Sequence, residues 1–111
     1  MSITVRQFYE AGRKALGLEI EAGADCLDHP ITEDSLNRPG LALAGFFQYF
    51  AQHRIQVLGL AEHTYIKSLS TADQVSRLSE MFKRRIPAMV ITRGRRATDH
   101  MLRLSEDYRI P

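Results

Sequence analysis

The stretch that decides the fold runs from Pro87 to Gly94 and reads Pro-Ala-Met-Val-Ile-Thr-Arg-Gly. Residues 88–92 form a short apolar run between a proline and a glycine, which is typical of a central strand covered on both faces. A capping-box pattern at Thr71 opens the helical stretch before it, which ends near Arg85. One apolar stripe follows that helix: Val75, Leu78, Met81, Phe82 and Ile86. A helix leading into a buried strand indicates an α/β fold.

The rest of the chain predicts the same alternation of helices and strands. The first part of the chain predicts a helix from Thr4 to Gly17, a strand at 18–22 and a short strand at 29–32. A helix beginning at Pro39 follows, with an extended Gly40–Gly45 as the alternative. We then predict a strand at 54–59, a short helix at 65–69 and, after the segment described above, a last helix capped by Thr98 or Asp99. This order predicts a small mixed or mainly parallel sheet of about four to five strands flanked by helices. Ile110-Pro111 resembles the first two residues of a further strand, so we expect the chain to end just before that strand.

Composition indicates one soluble domain spanning residues 1–111. The chain has 111 residues, of which 44% are hydrophobic and 25% charged, as in ordinary globular domains. Its one cysteine, Cys26, has no partner for an internal disulfide, which favours a reducing, cytoplasmic location. No stretch approaches the roughly 20 apolar residues of a membrane helix, and a net charge of +2 is too small to indicate nucleic acid. We therefore expect neither a membrane nor a nucleic acid as partner.

Positive charge is concentrated near the end of the chain. Residues 80–111 contain eight basic and four acidic residues, a net charge of +4. Within them, residues 92–96 follow a predicted strand and precede a helix, the position where ligands bind in open α/β sheets. Arginines at that position could pair with phosphate or carboxylate. An ordinary solvated basic loop is the alternative.

The sequence contains no phosphate-binding loop. Such a loop requires G-x-x-x-x-G-K-[ST], in which glycine amides cradle the phosphate and the lysine pairs with it. Gly40 and Gly45 have the required spacing, but Phe46 and Phe47 occupy the lysine and hydroxyl positions. We therefore assign no catalytic residue.

Other chemistry-bearing residues are interpreted as structural. Asp25, Cys26, Asp28 and His29 lie close together, but they lack the spacing of a metal site and are interpreted as a polar turn. A single cysteine with scattered histidines is a weak indication of a nucleophile. We therefore predict no metal and no cofactor in this chain. The aromatic side chains of residues 46–50 have helical spacing, which favours core packing over a base-stacking platform.

The central segment resembles the N-terminal domain of HPr kinase/phosphorylases. Residues 38–49, Arg-Pro-Gly-Leu-Ala-Leu-Ala-Gly-Phe-Phe-Gln-Tyr, resemble that family's R-P-G-L-x-L-x-G-[FY]-F-x-Y block. Residues 54–59, Arg-Ile-Gln-Val-Leu-Gly, with Glu62 soon after, resemble the block that follows. Residues 87–94 are similar to the family's P-x-x-[IV]-[IV]-T-R-G stretch.

The resemblance implies a cytoplasmic bacterial regulator whose full-length form phosphorylates a serine of a phosphocarrier protein and reverses that reaction. It implies ATP and magnesium for the full-length enzyme, a homo-oligomer, and a C-terminal kinase domain that carries the chemistry. It also implies a fold similar to the nucleotide-binding domain of muramyl ligases. No catalytic residue is carried over to this chain, because the phosphate-binding loop belongs to the absent domain.

Two hypotheses follow. The chain is a non-catalytic regulatory or assembly domain, or it is a domain that senses a small anion or nucleotide. The residues predicted to contact an anion or a partner are Arg38, Thr92, Arg93, Arg95 and Arg96.

Overall fold

A computed structural model of the chain describes residues 3–33, 35–48, 50–92 and 95–111. In these residues the elements are β1 (Ile3–Thr4), α1 (Val5–Ala15), β2 (Pro30–Ile31), α2 (Gly40–Leu43), β3 (Gln56–Leu58), α3 (Leu60–Ser68), α4 (Thr71–Lys83), β4 (Met89–Ile91) and α5 (Asp99–Tyr108). Tyr49 and Gly94 of the sequence motifs, and Arg93 of the predicted anion contacts, lie outside the described residues. The predicted mixed α/β class is confirmed.

The strands form two small sheets. β1 and β2 are antiparallel, with Ile3 opposite Ile31, and β3 and β4 are parallel, with Gln56 opposite Met89. A single parallel bridge joins Asn37 to Gln56 on the other side of β3. The predicted single sheet of four to five strands is therefore wrong for the described residues, which place two strands in each sheet.

The predicted strand at residues 18–22 has no backbone ladder to another described segment. Its alternation is nonetheless real, because Leu18 and Ile20 are half-buried while Glu19 and Glu21 are exposed. Glu21 anchors the segment by accepting a hydrogen bond of 2.7 Å from the backbone N–H of Ala97. Alternating hydrophobicity indicates which side chains point toward the core. A strand also requires a neighbouring extended segment close enough for backbone hydrogen bonds.

The first helix forms as predicted. Gln7 N–H donates to the Thr4 hydroxyl over 3.2 Å, and Thr4 N–H donates to Gln7 Oε1 over 2.9 Å, which completes a capping box. Gly17 follows the helix with a φ of +67°, a conformation that glycine adopts without steric cost. Of the predicted inward residues, Val5 is buried and Leu16 is exposed.

The predicted helix from Pro39 through residue 50 is much shorter. α2 covers four residues, and the chain then turns at Gly45, where φ is +98°. The guanidinium of Arg77 occupies the space that a side chain at Gly45 would need. Phe46 is consequently exposed, while Phe47 and Phe50 pack edge to face with ring centroids 5.6 Å apart. Neither the longer helix nor an extended Gly40–Gly45 is correct.

The three later helices form, and the caps of two of them lie at or next to the predicted residue. α3 begins at Leu60, with Gly59 between it and β3, and it begins earlier than predicted. Ser70, and not Thr71, caps α4 by accepting from Asp73 N–H over 3.2 Å. Thr98 caps α5, as predicted.

The core consists of two apolar clusters, one on each side of the parallel strand pair. Buried residues of the larger cluster include Leu43, Leu58, Ile66, Leu78, Met81, Phe82, Ile86 and Ile110. Those of the smaller cluster are Val5, Leu27, Ile31, Ile55 and Ala88. The residues of β4 are half-buried. Met89 and Ile91 pack against the larger cluster and Val90 packs against the smaller one, so each face of β4 is in contact with a cluster. Among the described residues β4 pairs with β3 alone, so the prediction that it is a central strand is wrong.

Candidate functional site

The carboxyl ends of β3 and β4 meet at one edge of the parallel pair. Thr92 follows β4, and both its backbone N–H and its hydroxyl donate to the carbonyl of Leu58, over 3.1 and 3.4 Å. Gly59 then turns the chain into α3, and His63 N–H donates to its carbonyl over 3.0 Å. The sequence predicts anion contacts at this edge, because open sheets bind ligands at such strand ends.

Arg38 reaches this edge but is already paired. Its Nε and Nη2 donate to Glu62 Oε1 over 3.0 and 2.7 Å. The same carboxylate oxygen accepts from Gly59 N–H over 2.7 Å. Burial alone would raise the pKa of Glu62, but the hydrogen bonds from Arg38 and Gly59 outweigh burial and lower it. Arg38 therefore stabilises the β3–α3 turn, and its positive charge is offset.

Arg95 and Arg96 have different surroundings. Arg95 is half-buried and folds back so that Nη1 donates to the carbonyl of Thr92 over 3.3 Å. Arg96 is exposed, and its Nε lies 3.3 Å from Oε1 of Glu21. Of the predicted contacts within the described residues, the structure thus brings Thr92 and Arg95 together. It places Arg38 and Arg96 in ion pairs with carboxylates.

Two residues that sequence reasoning did not single out for anion binding, His63 and Lys67, lie one helical turn apart on α3. His63 is buried, and its Nδ1 has no hydrogen-bond partner among the described residues. Burial, followed by the nearby charges of Lys67 and Arg95, lowers the pKa of His63. The sequence contains a pattern that could have identified this pair. His63 and Lys67 have i, i+4 spacing on the helix that follows β3 and Gly59, and residues with that spacing lie on the same face of a helix.

A groove of about 560 Å³ separates the segment 17–22 from β4. Leu18 and Ile20 line one side, and Met89 and Ile91 line the other. The groove runs along the edge of β4 that faces away from β3. On that edge Met89 N–H donates to the carbonyl of Pro111 over 3.0 Å.

The residues considered for metal binding are engaged in other contacts. Asp25 pairs with Arg109 at 3.2 Å, and Asp28 pairs with Arg6 at 3.1 Å. The Cys26 thiol donates to the carbonyl of Gly23 over 3.2 Å. Within the described ranges no group of three or more His, Cys, Asp or Glu side chains is arranged to hold a metal ion.

None of the helices in the described part of the chain is both long and apolar enough to cross a membrane.

Comparison with known proteins identifies the family. Residues 3–111 match the family model described as "HPr Serine kinase N terminus". The chain is 36% identical over 95 residues to the HPr kinase/phosphorylase of Peptoclostridium acidaminophilum, covering 86% of this chain and 31% of that protein. It is 42% identical over 78 residues to the HPr kinase/phosphorylase of Alkaliphilus metalliredigens, covering 70% of this chain and 25% of that protein. With the HPr kinase/phosphorylase of Streptococcus salivarius the identity is 32% over 108 residues, covering 96% of this chain and 34% of the relative.

These matches span about a third or less of each relative's length, and they correspond to its N-terminal domain. The resemblance seen at residues 38–62 is therefore confirmed over nearly the whole chain. The chain belongs to the HPr serine kinase N-terminus family.

Proposed function

We propose that this chain is the non-catalytic regulatory or assembly domain of an HPr serine kinase/phosphorylase-like protein. The full-length form would phosphorylate and dephosphorylate a serine of a phosphocarrier protein in carbon-source regulation. The observation that carries the proposal is the family match over residues 3–111, combined with coverage of only 31% of a relative's length. That share leaves the larger part of such a protein to carry the phosphate chemistry.

The backbone of Gly40–Gly45 supports a non-catalytic role. A phosphate cradle needs backbone N–H groups that point at the ligand. Here the N–H groups of residues 43–46 donate to carbonyls within residues 39–42. Because these donors are already used, the segment offers them to no phosphate, and Phe46 stands where the lysine would be.

The partners follow from the same proposal. ATP and magnesium would bind the kinase domain of the parent protein and not this chain. That kinase domain would be the first partner of this chain, and a phosphocarrier protein and further copies in a cytoplasmic homo-oligomer would be others.

A domain exchange tests the proposal. The HPr kinase/phosphorylase of Alkaliphilus metalliredigens is prepared intact, without its matched segment, and with that segment replaced by this chain. Subunit number is measured by sedimentation, and phosphorylation of HPr by mass spectrometry. We expect the shortened protein to keep phosphoserine formation but to change its subunit number or its regulated rate, and we expect this chain to restore the intact behaviour.

Two outcomes would contradict the proposal. Three proteins identical in subunit number and regulated rate would show that the segment has no assembly or regulatory role. Loss of phosphoryl transfer in a shortened protein that is folded and correctly assembled would show that the segment belongs to the catalytic machinery.

A further inference from the structure

The edge of β4 that faces away from β3 is largely unpaired. Successive residues of a strand direct their backbone N–H and C=O groups to opposite edges. β3 accepts from the N–H of Thr92 and donates to the carbonyl of Ala88, so residues 88, 90 and 92 face β3. The backbone groups of Met89 and Ile91 therefore face the other way. Among the described residues, the bond from Met89 to Pro111 is the only backbone hydrogen bond that joins this edge to another segment.

The opposite wall of the groove is a second segment with free backbone groups. Residues 18–22 alternate between half-buried and exposed, as a strand does, and none of their N–H or C=O groups takes part in a backbone hydrogen bond within the described ranges. The groove of about 560 Å³ lies between this segment and β4. Backbone donors and acceptors need partners once they are shielded from water. One further strand between the two walls would supply partners to both.

Pro111 lies at one end of the groove, in contact with both walls. Its carbonyl accepts from the N–H of Met89 over 3.0 Å. Its Cα lies 2.7 Å from the position that a Cβ on Gly23, just after the alternating segment, would occupy. The end of α5 fixes this placement, because Ile110 N–H donates to the Ser105 carbonyl over 3.1 Å and the Ser105 hydroxyl donates to the Ile110 carbonyl. A backbone that continues from Pro111 therefore starts at the mouth of the groove.

The connection through α5 determines the direction of such a backbone. β4 is followed by α5, which returns the chain to the beginning of β4. A strand reached through a helical crossover runs parallel to the strand before it. In a parallel pair that begins with the bond from Met89 to Pro111, the second residue after Pro111 donates to the carbonyl of Met89. Its own carbonyl then accepts from the N–H of Ile91.

The lining of the groove determines the side chains that fit it. Phe82 and Met101 of the larger cluster line the groove, and so do Val5 and Leu27 of the smaller cluster. A strand in the groove would therefore have apolar neighbours on both of its faces. Strands buried on both faces consist of consecutive apolar residues, in contrast to the alternation of half-buried strands.

We propose that the residues directly after Pro111 in the parent protein form an apolar strand in this groove, parallel to β4 and beside residues 18–22. The inference rests on the proposed function for the existence of that parent protein, and it adds where and how the next segment binds. The chain covers 31% of the HPr kinase/phosphorylase of Peptoclostridium acidaminophilum, so a protein of that length has residues to supply the strand.

Amide hydrogen exchange measured by NMR tests the pairing. The 111-residue chain is compared with a chain lengthened by the next eight or so residues of the parent protein, about the length of a strand. We expect the N–H of Ile91 to exchange at least about tenfold more slowly in the longer chain, because it gains a hydrogen bond. The N–H of Val90 is the internal control, since it faces β3 in both chains and should slow by a smaller factor.

Two variants of the longer chain locate the bond. The second residue after Pro111 is replaced by proline, which has no N–H to donate to Met89, or by alanine, which keeps it. We expect proline to return the exchange of Ile91 to the rate of the 111-residue chain, and alanine to retain most of the protection.

Three results would overturn the proposal. The first is an equal slowing of Ile91 and Val90, which would show general stabilisation without a new strand. The second is an equal effect of proline and alanine. The third is protection of Ile91 that rises with protein concentration, which would assign the groove to a second copy of the chain. None of these measurements involves phosphoserine or subunit number, so this inference and the proposed function can fail separately.

Discussion

Arg38 and Glu62 join across the turn between β3 and α3, with Arg38 Nη2 donating to Glu62 Oε1 over 2.7 Å. The same oxygen accepts the N–H of Gly59. A side chain at Gly59 would collide with the guanidinium of Arg38, so glycine is needed for this close approach. Arg38, Gly59 and Glu62 all belong to the motifs that resemble the family, and together they stabilise the turn between β3 and α3.

Glu62→Gln should lower the free energy of unfolding at neutral pH by about 1–2 kcal/mol. The substitution replaces the charged acceptor of the hydrogen bonds from Arg38 and Gly59 by a neutral one. The loss is moderate because the side chain of Arg38 is largely exposed to solvent. The folded state lowers the pKa of Glu62. The contribution of ionised Glu62 to stability is therefore complete above the pKa of Glu62 in the unfolded state. It is lost as the pH falls through the lower pKa of the folded state. Urea unfolding from neutral to acidic pH measures this.

The exposed Glu10 on α1 provides the control for that series, as Glu10→Gln. A difference between wild type and Glu62→Gln that stays constant on acidification would contradict the assigned ion pair.

Gly23→Ala should cost more stability than Gly17→Ala. Both glycines have positive φ, 75° and 67°, so each alanine incurs about 1–2 kcal/mol of strain. A Cβ at Gly23 would also lie 2.7 Å from Cα of Pro111 and 3.0 Å from Sγ of Cys26, whereas nothing lies within 4 Å at Gly17. We expect an additional loss of about 1–3 kcal/mol for Gly23→Ala, measured by thermal unfolding. Equal losses would show that the end of the chain does not pack on this turn.

Leu78→Ala should destabilise the fold by about 2–5 kcal/mol, because it empties a fully buried position in the larger cluster. Val75 lies on the same helix and the same predicted stripe but is 37% exposed. Val75→Ala should therefore cost less than about 1 kcal/mol. Chemical denaturation of both variants measures the contrast, and similar losses would contradict the orientation of α4.

Cys26 should react slowly with thiol reagents in the native protein. Burial, followed by the charge of Asp25, raises the pKa of this thiol, and the thiolate is the reactive form. Labelling at mildly alkaline pH should be faster in urea than in buffer, since unfolding removes both causes. Because the chain has one cysteine, the signal is unambiguous, and equal native and unfolded rates would show an exposed thiol.

The sequence predicted those parts of the fold that local interactions determine. Thr4 with Gln7, Gly17 and Thr98 mark helix ends through contacts between near neighbours in the chain. Strand pairing is different, because it depends on distant segments. The alternating residues 18–22 predict a strand, yet the side chain of Glu21 instead accepts a hydrogen bond from the backbone N–H of Ala97, just before α5.

The surroundings of the predicted anion contacts depend on residues that are distant from them in the sequence. Arg38 and Arg96 were expected to be available, and carboxylates from distant parts of the chain pair with both. His63 and Lys67 were overlooked because the predicted helix began only at residue 65, which concealed their i, i+4 relationship.

The proposed function requires that this chain carry no phosphoryl-transfer site of its own. The most direct test incubates the 111-residue chain with ATP, magnesium and HPr, and counts phosphoserine by mass spectrometry against a reaction without the chain. We predict no phosphoserine above that background at any concentration of the chain. Phosphoserine that increases in proportion to the chain would contradict the account.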